Sequence, residues 1–324
     1  MAIVTNSSNT FNAIGNREDL SDVIYLISPT ETPLLSMIAG KGKATNTLHQ
    51  WQTDALAANV TTNAQLEGAD LSSVDAAAYT YMCKNTVQLS YKAFGVSTTQ
   101  RAVNPAGRKD ELAYQSMKKS KELKRDMESS ACSVAARSTN PSTTSARKSR
   151  GLENFLVTNS IGGTSYANAG LNGDGTAGTD GGAITTGTAR IFTETLLKTV
   201  ISSCYTQGGD PDVVMTGAWN KQALSGFSGN ATRFDKSEDK KLITSIDFYV
   251  SDFGELRVVP NRFSNASTVY VLESDQISID YLEDFVVDDL AKIGLADRKV
   301  VRAEWTLRVG NEMSSGCVAS LTTS

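Results

Sequence analysis

The chain has 324 residues, 40% hydrophobic and 20% charged, which is enough for a sizeable core and too apolar for a disordered chain. Its net charge of −4 gives no overall reason to expect nucleic acid or a membrane surface. Cys83, Cys132, Cys204 and Cys317 are too scattered for a zinc site or a disulfide framework and read as four reduced thiols.

No run approaches the roughly 18 apolar residues of a membrane span, and the opening Met1-Ala-Ile-Val-Thr-Asn lacks the basic and apolar regions of a secretory signal. Residues 1–16 are rich in Asn, Ser and Thr, an arm expected to stay extended until something holds it. Leu20, Val23, Ile24 and Ile27 then space a short amphipathic helix, stopped by Ser28-Pro29. Thr32-Pro33 opens a second, with Leu34, Leu35 and Ile38 as its buried side. Gly40-Lys-Gly-Lys43 reads as a basic turn, and the spacing of a phosphate-cradling loop is absent.

Residues 45–56 suit a strand that holds His49, the one histidine in the chain, together with Trp51 and Asp54. A two-histidine metal site is therefore impossible, a Ser-His-Asp triad would need this residue, and its expected role is structural. Residues 57–76 form a polar loop without apolar period. Beyond it Val87, Leu89 and Tyr91 alternate with Gln88 and Ser90, and Phe94 and Val96 continue the apolar side. The segment from about 50 to 100 thus reads as a long hairpin-like excursion with little core of its own, the kind of arm that lies on another chain.

The longest helical signal covers 109–137. Leu112, Ser116, Ser120, Leu123, Met127, Ala131 and Val134 recur at steps of three or four, a slim stripe that needs a sheet or a neighbouring chain to lie on. Residues 101–150 hold 12 Lys and Arg against 5 Asp and Glu, +7, so the remainder must carry −11 to give −4. Lys118, Lys119, Lys121, Lys124 and Arg125 make a basic stripe, partly neutralised by Glu122, Asp126 and Glu128. It offers phosphates a partner, but no interleaved aromatic residues for stacking, so any nucleic-acid contact would be non-specific.

Residues 138–150 read as a Ser/Thr/Arg linker, and 159–189, with nine glycines, as a surface loop. Asp174 and Asp180 lack the ligand count and terminal Glu of a calcium loop. A second unit starts near Phe192. A helix over Leu196, Leu197, Val200, Ile201 and Cys204 closes at Gly208-Gly209, followed by a buried strand at 213–215 and a helix at 219–227. After an open loop at 228–236, short strands are expected at 243–250, 256–259, 268–272 and 277–281. In a last strand Val301, Ala303, Trp305, Leu307 and Val309 face one way and Arg302, Glu304, Thr306 and Arg308 the other. The class is α+β.

Catalytic constellations are missing. Gly226-Phe-Ser-Gly-Asn230 departs from the nucleophile-elbow pattern at its last position. Glu283-Asp284 and Asp288-Asp289 are neighbours on a strand, point to opposite faces and read as a solvated acidic edge. No enzyme activity, cofactor or metal is expected. Two alternatives remain: a non-specific nucleic-acid-binding protein using the basic helix 109–137, and a hydrolase using the scattered carboxylates.

The order of parts, together with four stretches, resembles a tailed-phage major capsid (major head) protein with the Hong Kong 97 type fold. The stretches are Glu18-Asp-Leu-Ser-Asp-Val-Ile-Tyr-Leu-Ile-Ser-Pro-Thr-Glu-Thr-Pro33, His49-Gln-Trp-Gln-Thr-Asp-Ala-Leu56, Gly107-Arg-Lys-Asp-Glu-Leu-Ala-Tyr-Gln and Glu304-Trp-Thr-Leu-Arg-Val-Gly-Asn-Glu312. The resemblance implies an N-terminal arm over 1–48, an extended β loop over 49–103, and a spine helix with linker of the peripheral domain over 104–158. A Gly-rich insertion at 159–189, an axial domain over 190–270 and return strands of the peripheral domain over 271–324 complete it.

By the same resemblance the chain is a self-assembling structural subunit of an icosahedral virion head, made in the host cytoplasm. It forms hexamers and pentamers around double-stranded DNA, with portal, scaffold or decoration proteins as further partners and no membrane. Leu20, Val23, Ile24 and Trp51 are then candidate inter-subunit arm contacts, and Lys118, Lys119, Lys121, Lys124 and Arg125 candidate DNA-facing residues. Residues of an autocatalytic Lys–Asn crosslink do not match.

Overall fold

The computed structural model describes residues 28–38, 40–64, 66–68, 80–103, 107–138, 141–168, 182–227 and 247–323. The amphipathic helix with Leu20, Val23 and Ile24, the glycine-rich run over 169–181 and the open loop at 228–236 lie outside the described residues.

The first half carries α1 (Pro33–Met37), β1 (Gly40–Lys43), β2 (Leu48–Thr53), β3 (Tyr81–Thr86), β4 (Gln88–Ser97), α2 (Thr98–Ala102) and α3 (Glu111–Ala131). The second carries α4 (Leu152–Phe155), β5 (Ser160–Ile161), α5 (Glu194–Thr206), β6 (Val213–Thr216), α6 (Ala218–Ser225) and β7 (Phe248–Ser251). It closes with β8 (Gly254–Pro260), β9 (Val269–Leu272), β10 (Ile277–Leu290), β11 (Ala296–Val309) and β12 (Gly316–Val318). Among the described residues these strands form a sheet in the order β1-β10-β11-β4, a larger one in the order β5-β12-β9-β6-β8-β7, and the hairpin pair β2-β3.

Helix α3 lies on the first sheet. Leu123, Met127 and Ala131 pack with Ile277, Ile279, Val301, Ala303, Trp305 and Leu307, so the face of β11 that alternation marks as apolar is the face that is buried. The helix is shorter than its periodicity implies. Asp110 caps it by accepting from the Leu112 amide at 2.9 Å, and the Ser133 hydroxyl takes the Ser130 carbonyl at its far end. Val134 is therefore exposed. Residues beyond the cap fold back on the end of the supposed linker, where Ser149 and Arg150 are buried and the Gly151 amide donates to the Ala135 carbonyl.

Three expectations give way to tertiary structure. Gly40–Lys43 is a strand parallel to β10, not a turn. Gly42 sits against Asp280, where a Cβ would lie 2.1 Å from Oδ1, so the pairing depends on its having no side chain. In β4 the inward row is Gln88, Ser90, Lys92, Phe94 and Val96, while Leu89 and Tyr91 face out, Tyr91 with 63% of its surface exposed. Polar side chains win the inner face because partners wait there: Ser90 Oγ accepts from the buried Trp305 indole at 3.2 Å, and Gln88 Oε1 from the Ser149 amide at 3.1 Å. The acidic stretch of β10 is not a bare solvated edge. Register shifts between Tyr281 and Val286 bring Glu283 and Asp288 to the same side, where both bind Arg302.

The second sheet is covered by α5 and α6, whose Leu197, Val200, Ile201, Cys204 and Leu224 pack on Val214, Val258, Val269 and Val271. Helix α5 ends as its glycines predict: Gly208, at φ +84°, adopts the left-handed turn beyond Gln207. The strands after residue 271 divide between the sheets, since β10 and β11 join the first and β12 pairs with β9 and β5 in the second. Likewise β4 belongs to the first sheet and leaves the excursion to β2, β3 and the segment between them.

Candidate assembly surfaces and the basic helix

The projecting hairpin is rooted in the first sheet. Trp51, half-buried on β2, packs 6.1 Å from the Phe155 ring and 5.8 Å from His49, ring centre to ring centre. His49 Nε2 stands 2.8 Å from Asp280 Oδ2, outside hydrogen-bond alignment. Asp280 also faces Arg308 Nε at 3.0 Å and accepts from the Ser278 hydroxyl at 2.9 Å. Packing of Trp51 on Phe155 ties the hairpin's root to the core of the first sheet. Outward of it, Leu56 is fully exposed, Val60 68% and Leu66 84%.

The chain enters this body through a contact that the pattern of residues did not reveal. Glu128, on α3 and buried, accepts hydrogen bonds from the Leu34 amide at 2.7 Å, the Leu35 amide at 2.9 Å and Asn261 Nδ2 at 2.6 Å. One carboxylate joins the incoming arm, the long helix and the loop after β8. Burial pushes its pKa up, while the three donors favour the ionised form. Its sequence signal was a glutamate next to Met127, inside the apolar stripe, which reads equally well as one more surface charge.

The basic stripe separates into distinct roles. Lys119 pairs with Glu122 at 2.7 Å and holds that carboxyl below the usual range, and Lys124 lies 5.6 Å over the Phe285 ring. Asp126 is engaged by Lys92 at 2.5 Å. Lys118, Lys121 and Arg125 remain without an ion-pair partner among the described residues. Together with Tyr114, Met117 and Glu122 they wall a groove of about 250 Å³ whose other side is Ser28, Pro29 and Thr30. Tyr114, one turn before Lys118, supplies the aromatic surface that the basic stripe alone lacks.

Among the described residues no catalytic geometry assembles. No group of three His, Cys, Asp or Glu able to hold a metal occurs among the described residues. The carboxylates Glu283 and Asp288 are committed to Arg302. Among the described residues no helix is long and apolar enough to cross a membrane.

The sequence profile of the SU10 major capsid protein family matches residues 3–322. The major capsid protein of Escherichia phage Phieco32 is 28% identical over 332 residues, covering 93% of each chain. Two solved structures share the fold at 12% identity. The cyanophage A-1(L) capsid asymmetric unit has a TM-score of 0.66 and covers 95% of this chain and 98% of its own. The capsid of the native GTA particle has a TM-score of 0.64 and covers 98% and 100%. Neither supports the alternative of a stand-alone nucleic-acid-binding protein. The chain belongs to the SU10 major capsid protein family, whose members are structural head subunits and not enzymes, and it has the Hong Kong 97 type fold.

Proposed function

We propose that many copies of this chain tile an icosahedral head as hexamers and pentamers and enclose double-stranded DNA, with portal, scaffold or decoration proteins completing the particle. The observation that carries this reading is the projecting hairpin. Leu56, Val60 and Leu66 stand exposed on a segment with no core of its own, and burying each against a neighbour is worth about 1.5–3 kcal/mol. Interactions of that size, repeated around a ring, order an arm that a monomer cannot afford to fix. Contact with packaged DNA is of the phosphate-reading, sequence-independent kind.

The test is light scattering with negative-stain imaging of the purified chain over a range of concentrations and salt, alone and with its phage's scaffold protein. Rings, sheets or closed shells are expected. A monomer under every condition, with the 54–68 segment protected from protease, would mean that the arm is packed within its own chain and has no neighbour to reach.

A further inference from the structure

Within the basic helix the charges divide into those already spent and those still open. Lys119 is held by Glu122 at 2.7 Å, Lys124 lies over the Phe285 ring, and Lys92 answers Asp126 at 2.5 Å. Lys118, Lys121 and Arg125 have no ion-pair partner among the described residues, and both lysines are exposed. They recur at steps of three and four and form one row on the wall of the groove of about 250 Å³. The carboxylate of that wall, Glu122, is the one that Lys119 engages. Opposite the row, Ser28 and Thr30 bring hydroxyl groups able to donate to an anion, while Pro29 and Met117, the latter 53% exposed, bring apolar surface. Tyr114 is not an open stacking platform, because the Arg108 guanidinium lies 5.5 Å from its ring centre.

Such a lining suits a polyanion whose charges are separated by apolar surface, which is the character of a sugar–phosphate backbone. The row from Lys118 to Arg125 runs about 10 Å along the helix, and one strand of duplex DNA advances about 3.4 Å per phosphate, so the row matches about three phosphate steps. We propose that Lys118, Lys121 and Arg125 form the contact of this chain with double-stranded DNA, each neutralising one phosphate, with Ser28 and Thr30 donating to the same backbone and no base being read. Lys119 and Lys124 belong to the same basic stripe in the sequence but take no part, because their charges are answered within the chain. The inference rests on the reading that assembled copies enclose DNA, and it assigns the residues that touch it.

Binding of a short DNA duplex to the full-length chain, held at a concentration where light scattering shows no assembly, tests it. Three neutralised phosphates give a slope of about −2.7 for log K against log salt, so affinity should fall roughly 40-fold between about 50 and 200 mM. Lys118→Gln, Lys121→Gln and Arg125→Gln should each make the slope shallower by about 0.9, while Lys124→Gln leaves it unchanged. Duplexes of unrelated sequence should bind alike, and an unaltered melting transition checks that every variant folds. No binding at low salt, a slope indifferent to the row, or an equal loss in Lys124→Gln would overturn the proposal. So would tighter binding of single strands that Tyr114→Ala removes, since the groove would then stack bases. The outcome is separable from assembly. Shells built from a chain that binds no duplex would leave the assembly reading standing and remove this site, whereas duplex binding through the row by a chain that never assembles would do the reverse.

Discussion

Glu128 shows how one side chain can decide the path of a whole segment. Its carboxylate is the acceptor for two consecutive arm amides and for Asn261, so removing it leaves three donors, two of them buried, unanswered. Glu128→Gln turns one acceptor into a donor that faces other donors, and should cost about 1–3 kcal/mol. The pH dependence has a definite sign. Because burial raises the folded-state pKa, the stability linked to its protonation is full below the ordinary Glu range and lost as pH rises through the folded value. Melting curves of both proteins between about pH 4 and pH 8 should show the margin of the wild type over Glu128→Gln narrowing as pH rises. A constant margin would mean that Glu128 titrates alike folded and unfolded. The cysteines make a second residue-scale case. All four are buried, and burial raises the pKa of Cys132 and Cys317 and pushes that of Cys204 up to about 12. Native protein should therefore resist a thiol reagent that titrates four groups once denaturant is added; rapid labelling without denaturant would contradict the burial.

At the scale of elements, what distinguishes this fold from its sequence pattern is how closely strands approach one another. Strand β1 runs beside β10 with Gly42 hard against Asp280, where a Cβ would lie 2.1 Å from Oδ1, and Gly40 against Ser278, where it would lie 3.1 Å from the Cβ. Gly42→Ala should displace Asp280 from Arg308 and His49 and destabilise the chain by about 1–3 kcal/mol, as overpacked sites do, read as a lower denaturation midpoint with an unchanged slope. A midpoint equal to that of the wild type would mean that the carboxylate can move aside at no cost. The same closeness explains β4. Its inner face must satisfy the Trp305 indole, so serine and glutamine point inward and Tyr91 outward.

At the scale of the whole molecule, two sheets each carry a helical layer, and the β2–β3 hairpin leaves Leu56, Val60 and Leu66 exposed. Leu56→Asp combined with Leu66→Asp touches nothing that stabilises the monomer, since both residues are exposed. Assembly should fail while the melting temperature stays within about 1 °C of the wild type, surface changes of this kind costing about 0.5 kcal/mol or less. Shells that still form at normal concentration would remove the tip from the assembly contacts.

The sequence by itself determined whatever rests on periodicity and local chemistry. The long helix, its Leu123–Met127–Ala131 stripe, the inward row of β11 and the glycine end of α5 are all short-range statements, and the order of parts together with four stretches indicated the family. Only the tertiary structure decided which face of β4 is buried, that Gly40–Lys43 is a strand, that a bulge brings Glu283 and Asp288 onto one arginine, and that Glu128 holds the arm. Each of these depends on a partner far away in the chain: Ser90 on Trp305, Gly42 on Asp280, Glu283 on Arg302, Glu128 on Leu34 and Asn261. Local propensity carries no record of such partners, because a buried polar group takes its place from the donor or acceptor that folding brings to it.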